Sequence, residues 1–316
     1  MKKILVAVDG TQRGLEAVSI LGRLLREHED LQLVLLHCVQ QVATLLPGEL
    51  CVELEEQCRF NARDQERVGN LVLGESARRL TDAGFPAGRL ELRIRQDSLD
   101  PAQDILNYSE KEGIQTIAMG RRGRSPIENL LLGSTTGKVA QYATGKSVWI
   151  VDTPVNETRR ALVAMDGTAE TSKLLSHTAD HIAPCAAFSY TLLHLMPPVP
   201  PTFWDNGHIL DTLEQKGRQS RIETWKSDWR GRVDRFMAEG CALLREKGVG
   251  EQNVETAVLP SREGVARDIL NEIREHKYHV VVIGKKSFHE RKPFLMGSHA
   301  AKILHNAQAT VLCLVD

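Results

Sequence analysis

Short apolar runs alternate with longer amphipathic stretches along the whole chain. Residues 4–8, 32–39, 90–95, 115–119 and 147–151 read as strands, several of them as unbroken aliphatic runs. An unbroken run of that length fits a parallel strand buried on both faces, because neither face can then be polar. Between them, residues 13–27, 50–83, 101–112 and 134–142 read as helices. Pro101 suits a first helical turn, where its missing N–H has no partner to lose, and Asp100 before it is a natural cap. The alternation β-α-β-α-β-α-β-α-β predicts a doubly wound α/β sheet.

The pattern then repeats. KKILVAVDGT at residues 2–11 returns as RRALVAMDGT at 159–168, so that Asp9 has its counterpart 157 positions on, at Asp166. Leu36-His37 returns at the same spacing as Leu193-His194. AQDILN at 102–107 returns as ARDILN at 266–271, now 164 positions on, and that spacing holds to the end. Gly133-Ser134 thus matches Gly297-Ser298, and Val151-Asp152 matches Val315-Asp316. The second copy has gained seven residues between the two blocks. Its strands are expected at 161–165, 189–195, 254–259, 280–283 and 310–315. A duplicated domain follows: residues 1–152, a linker at 153–158 marked by Pro154, and residues 159–316.

Candidate chemistry gathers where the fourth strand of copy one ends. From Met119 to Thr136 the chain reads MGRRGRSPIENLLLGSTT. Gly120 closes the strand, Gly123 follows, and Gly133-Ser134 opens the next helix. Glycines at such points allow a sharp turn and a close approach of a ligand to the main chain. A Gly-Ser pair at a helix start offers free N–H groups, a hydroxyl and the positive end of the helix dipole. The combination is an anion cradle, and a nucleotide phosphate is the anion it suits. Two nearby phosphate-loop lookalikes fail. Gly145-Lys146-Ser147 has Ala140 where the loop's first glycine belongs and runs into a strand, and Gly133 to Lys138 is one residue short.

The whole spacing, Gly120–x2–Gly123–x9–Gly133-Ser134 between a strand and a helix, resembles the ATP-binding signature of the universal stress protein family. The likeness covers nearly the whole chain. It implies two tandem Rossmann-like (adenine nucleotide alpha hydrolase-like) domains, each a five-stranded parallel sheet in the order 3-2-1-4-5 with helices on both faces. In that order the sheet reverses between strands 1 and 4, and ligands sit at the carboxyl ends there. Asp9 and Gly120 fall at those two ends. The resemblance implies ATP as ligand, with or without Mg. It assigns Asp9 to the ribose and the backbone at Cys38, just after His37, to adenine. Met119, Gly120, Arg122, Gly123, Arg124, Gly133, Ser134 and Thr135 complete the expected site. Read by itself, Asp9 is a turn or helix-cap residue, and only the phosphate motif beside it brings in the ribose. Of Arg121, Arg122 and Arg124, one is expected to reach the triphosphate. The doubled arginine departs from the small residue and His usual in the family. His37 and His194 are expected to be buried and satisfied.

The counterparts in copy two are Asp166, Leu195, Gly284, Gly297 and Ser298, but Ser287 replaces the second glycine. If that position needs φ > 0, a non-glycine residue costs about 1–2 kcal/mol. The loop from Phe288 to Pro293 is also bulkier, so the second site is expected to be weak, altered or empty. The family further implies antiparallel pairing of the fifth strands of two copies. Here that gives an intramolecular pseudo-dimer, and a homodimer of the whole chain is compatible with it. An exposed apolar fifth strand would otherwise be an aggregation hazard.

Composition narrows the rest. With 316 residues, 42% apolar and 26% charged, the chain is an ordinary globular one of two domains. A net charge of −1 implies no polyanion-binding surface, so no nucleic-acid partner is expected. Met1-Lys2-Lys3 leads straight into a strand with no signal-peptide pattern, and no run approaches the ~18 apolar residues of a membrane span. A cytoplasmic protein with no membrane partner is expected. Cys38, Cys51, Cys58, Cys185, Cys241 and Cys313 form no CxxC pair and are expected to be reduced thiols. No pyrophosphatase loop, no His-x-Gly-His and no P-loop accompany the cradle. The reading is therefore an ATP-binding stress-response or regulatory protein, not an enzyme, with weak ATP hydrolysis at most and protein partners unknown. Two alternatives stand beside it: an ATP-hydrolysing or adenylyl-transfer enzyme, and an interaction protein with a vestigial motif. The copies differ most between strands 2 and 3. Copy one has a charged stretch at 53–79. Copy two has Pro197-Pro198-Val199-Pro200-Pro201 followed by Phe203, Trp204, Trp225 and Trp229. These aromatics either pack on their own domain or form a contact surface for a partner.

Overall fold

A computed structural model of the chain describes residues 1–40, 65–121, 132–168, 170–185, 187–196, 199, 212–286 and 296–316. Copy one runs β1 (Lys2–Ala7), α1 (Gln12–Leu25), β2 (Leu31–Gln40), α2 (Gln65–Asp82), β3 (Leu90–Ser98), α3 (Pro101–Lys111), β4 (Thr116–Gly120), α4 (Ser134–Tyr142) and β5 (Ser147–Val151). Copy two runs β6 (Arg160–Met165), α5 (Glu170–His181), β7 (Ser189–Met196), α6 (Thr212–Glu246), β8 (Val254–Pro260), α7 (Val265–His276), β9 (Val280–Gly284), α8 (Ser298–Asn306) and β10 (Val311–Val315).

The strands lie in a single sheet, ordered β3-β2-β1-β4-β5-β10-β9-β6-β7-β8. Each half is parallel in the order 3-2-1-4-5. The halves join where β5 and β10 pair antiparallel, with Trp149 opposite Cys313 and Ile150 opposite Leu312. All five residues of both strands are buried. Their unbroken apolar character thus belongs to the centre of a ten-stranded sheet, not to two edges.

Alternation along the strands feeds two apolar layers. Ile4 and Val6 point into a layer with α1, α2, α5 and α6, whereas Leu5 points into the opposite one with α3, α4, α7 and α8. Each layer runs through both copies, so neither copy has a private core. A buried Leu or Ile is worth about 1.5–3 kcal/mol against exposure, and that sum is shared across the joint.

Local chemistry sets the helix starts. Thr11 caps α1, its hydroxyl accepting from the Gly14 N–H at 3.0 Å. Asp100 caps α3 by accepting from the Ala102 N–H at 3.0 Å, with Pro101 in the first turn. Where β3 differs from the bounds read in the sequence, the cause is pairing. β3 continues to Ser98, three residues past 95, because Ser98 still pairs with Gln40 across an irregularity in β2. β3 is an edge strand whose residues are largely exposed, so its polar end gives no apolar signal. The first part of the helix expected at 50–83 lies outside the described residues. α6 is 35 residues long, about 50 Å at 1.5 Å per residue. Among the described residues no helix is long and apolar enough to cross a membrane. Cys38, Cys185, Cys241 and Cys313 are free thiols, while Cys51 and Cys58 lie outside the described residues.

Candidate functional site

In copy one, Ala7 of β1 pairs with Met119 of β4, so the two strands end side by side at the point where the sheet reverses. Asp9 follows the first end. Its Oδ1 accepts from the Thr11 N–H at 3.1 Å and from the Thr11 hydroxyl at 2.8 Å. Gly10 turns the chain there at φ +77°. A Cβ built on Gly14 would collide with Asp9 Oδ1, so the carboxylate keeps this position only while residue 14 has no side chain. Gly120 ends the second strand. Its carbonyl accepts from the Thr136 hydroxyl at 2.9 Å, and Gly133 N–H donates to the Arg121 carbonyl at 2.9 Å. These two bonds seat the start of α4 against β4. Gly133 takes the N-cap position in extended backbone (φ −65°, ψ 146°) and supplies no side-chain cap. The first-turn N–H groups therefore have no intrahelical acceptor. Ser134 is exposed at this helix start and Thr135 is half-buried. Cys38 and Met119 are buried in the apolar layer beneath.

His37 and His194 are both buried. His37 Nδ1 lies 2.7 Å from the Val8 carbonyl, and His194 Nδ1 lies 2.9 Å from that of Met165. A carbonyl only accepts, so each Nδ1 carries the proton. Each histidine thus ties strand 2 of its copy to the end of strand 1, in the buried position expected for it.

Arg121, the first of the three arginines, takes a different place. Its side chain does not join the strand-end cluster. It is buried in the joint between copies, where Nη1 donates to the Leu304 carbonyl at 2.6 Å and Nε lies 3.4 Å from Asp152 Oδ2. Arg122, Gly123 and Arg124 lie outside the described residues. The same arrangement returns from the other side. Lys285, 164 positions on, is fully buried and donates to the Ala143 carbonyl. Burial pushes its pKa down to about 8. Asp152 Oδ2 accepts from the Ala309 N–H, and Asp316 Oδ2 from the Gly145 N–H, both at 2.9 Å. The root of each glycine loop is thereby clamped to the other copy. The sequence carried a signal for this latch, a matched cation and carboxylate at the repeat spacing, but it does not stand out beside the glycines.

In copy two the five expected residues come together. Asp166, Leu195, Gly284, Gly297 and Ser298 all line one cavity of about 290 Å3 at the carboxyl ends of β6 and β9. Aliphatic walls come from Leu174, Leu193, Ile269 and Ile283. Asp166 Oδ1 accepts from the Thr168 N–H (3.0 Å), the Thr168 hydroxyl (2.7 Å) and the Thr171 hydroxyl (3.1 Å). Ser298 starts α8 behind Gly297, again without a side-chain cap. Ser287 and the loop to Pro293 lie outside the described residues.

Trp229, which sequence reasoning did not place here, lines the same cavity. Its indole N–H donates to His194 Nε2 at 2.8 Å, which fixes His194 as the neutral Nδ1–H tautomer. Burial also holds the His194 pKa below the usual value. Arg232 lies over the indole at 4.6 Å, and the Trp225 ring centre is 5.9 Å away. Trp229 thus packs on its own copy, while Phe203 and Trp204 lie outside the described residues.

The family model described as "Universal stress protein family" matches residues 1–152 and again residues 157–314. The Bacillus subtilis (strain 168) universal stress protein YxiE is 28% identical over 145 residues, which is 45% of this chain and 93% of that one. A universal stress protein from Archaeoglobus fulgidus DSM 4304 superposes with a TM-score of 0.57 at 17% identity, covering 99% of this chain and 96% of that one. A protein of unknown function from Pseudomonas aeruginosa PAO1 superposes with a TM-score of 0.60 at 18% identity, covering 100% and 92%. At these identities the two solved structures share the fold.

Proposed function

Because the chain belongs to the universal stress protein family, matched twice along its length, we propose that it is a stress-response regulatory protein that binds an adenine nucleotide at the strand-end cradles. One observation carries this reading. The residues named for copy two surround a single cavity at the reversal of the sheet, the place where doubly wound sheets hold ligands. Duplication gives copy one the same frame, with Asp9, Gly120 and the Gly133-Ser134 helix start at matching strand ends.

In this reading the Asp9 carboxylate meets the ribose and the main chain at Cys38 meets adenine. The α4 N-terminus, with Ser134 and Thr135, meets the phosphates, where orphan N–H groups and the helix dipole favour an anion. Arg122 and Arg124 supply cations beside Gly123. Mg accompanies ATP through its phosphates, and among the described residues no cluster of His, Cys, Asp or Glu could hold a metal ion by itself. Copy one is the tighter site. A penalty of about 1–2 kcal/mol at Ser287 separates the affinities by roughly five- to thirtyfold. Nucleotide occupancy changes what the protein presents to its partners, and no turnover is required.

Equilibrium dialysis with ATP tests this on the wild type, Gly133→Val, Gly297→Val and Ser287→Gly. Near physiological salt the wild type should take up one ATP tightly, Gly133→Val should lose it, and Ser287→Gly should strengthen the second site. Unchanged binding by both valine variants would sink the assigned cradles.

A further inference from the structure

The joint between copies holds a cluster that nucleotide binding does not use. Trp149 on β5 is fully buried, and its indole N–H donates to His177 Nε2 on α5 at 2.9 Å. An indole nitrogen only donates, so Nε2 must be bare and the imidazole proton sits on Nδ1. That Nδ1 faces the Ser147 hydroxyl at 3.2 Å. His177 is therefore neutral with both nitrogens engaged, and both partners belong to copy one. His181, one turn further along α5, stacks on it with ring centres 4.4 Å apart and planes at 20°. Both imidazoles meet the Trp149 ring at a steep angle, with centres 5.8 and 6.2 Å away.

Charged groups close in from every neighbouring element. Lys2 of β1 places its ammonium 2.8 Å from Asp180 Oδ1, and Lys247, just past α6, lies 3.0 Å from the same oxygen. From the turn after α1, His28 Nε2 is 3.0 Å from the Asp180 carbonyl, and Asp30 stands near His28. Burial, helped by His181 and Lys2, holds the His177 pKa well below the usual value. Burial and Lys2 push His181 down to about 4, and burial lowers His28 as well.

Nothing in the fold demands histidines here. The positions matching His177 and His181 in copy one, 157 residues earlier, are Ile20 and Leu24, and the residue matching Trp149 is Cys313. All three lie in the same apolar layer. One side of the pseudo-symmetric joint is thus aliphatic, and the other is built from groups that titrate.

We propose that His177 and His181 make this joint acid-labile, so that their protonation releases α5 of copy two from β5 of copy one. A proton on His177 Nε2 would point a second donor at the Trp149 N–H and end that hydrogen bond. Protonating both rings would set two cations face to face beside Lys2. The sign follows from the lowered values. In the unfolded chain these histidines titrate near the ordinary ~6.5, whereas in the folded chain they stay neutral to lower pH. The joint is therefore intact above about pH 6.5 and weakens steadily as pH falls from there toward 4.

Thermal unfolding and tryptophan emission of the full chain, followed from about pH 7.5 to pH 5, test the proposal on the wild type and on His177→Ile/His181→Leu. Those two residues are the ones copy one already carries. The wild-type melting midpoint should fall with pH, and the double variant should fall by less than half as much. Emission should shift to the red in acid before global unfolding, and Trp149→Phe should lack that shift. If the double variant does not fold, His177→Gln keeps an acceptor for Trp149 but cannot become charged, and it too should flatten the pH profile. His28, His194 and His279 remain in every variant. Equal pH slopes in wild type and either histidine variant would therefore overturn the proposal.

Discussion

Copy one and copy two share the strand-end Asp, the strand-2 His and the Gly-Ser helix start, yet they lean different residues on that frame. Beside Asp9 copy one has Gly14, whose missing side chain makes room for the carboxylate. Beside Asp166 copy two has Thr171, whose hydroxyl donates to the same oxygen. Copy two presses Trp229 onto His194 from a 35-residue helix. At the joint, Ile20 and Leu24 answer His177 and His181. The lesson is that duplication preserved what turns the backbone at the reversal of the sheet and freed what packs around it. The copies are one fold with two differently furnished strand ends.

The comparison is broken most severely at the joint. Ile150 and Leu312 face each other with no exposure. Ile150→Asp would bury an unpaired carboxylate, at a cost of several kcal/mol. Loss of a cooperative melt by circular dichroism is expected. The control is Leu259→Asp on the outer strand β8, where the side chain is 44% exposed and the change should stay within about 0.5 kcal/mol.

Next comes the latch. Arg121→Ala removes one partner of a buried ion pair and should cost about 3 kcal/mol. Lys285→Ala leaves one buried carbonyl unanswered and should cost about 1–3 kcal/mol. Urea midpoints on both variants rank the two halves of the clamp, and equal insensitivity would remove the latch from the account.

Smaller effects sharpen the sites themselves. Gly14→Ala should displace Asp9 and weaken ATP binding in copy one about tenfold, equivalent to ~1.4 kcal/mol, while leaving copy two unchanged. Thr171→Ala deletes one of three bonds to Asp166 and should shift copy two by about 1 kcal/mol or less. Isothermal titration with ATP reads both. A copy-one affinity untouched by Gly14→Ala would show that Asp9 is only a turn residue.

The frame was legible in the sequence because it is written in local chemistry. Apolar runs, Asp100-Pro101 and the repeated DGT each act through their immediate neighbours. That β5 and β10 would be paired or covered could be expected because both strands are apolar throughout, and their pairing with each other was what the family resemblance implied. What stayed hidden depends on contacts distant in the chain. Arg121 sits among arginines beside a glycine loop, and only the fold shows its guanidinium turned toward Leu304, 183 positions away. Trp229 is one aromatic in a charged helix until β7 brings His194 beneath it. The His177–Trp149 contact spans the two copies and leaves no periodic trace. The end of β3 was missed because an edge strand with exposed polar residues carries no hydrophobic pattern.

The central claim is that the strand-end cradles hold a nucleotide, and native mass spectrometry of the intact chain tests it most directly. Freshly purified protein, and protein returned to a modest excess of ATP, should each carry one adenine nucleotide per chain, and Gly133→Val should carry none in copy one. A wild-type chain that remains at its bare mass in excess ATP, or a Gly133→Val chain that retains the full nucleotide load, would contradict the account.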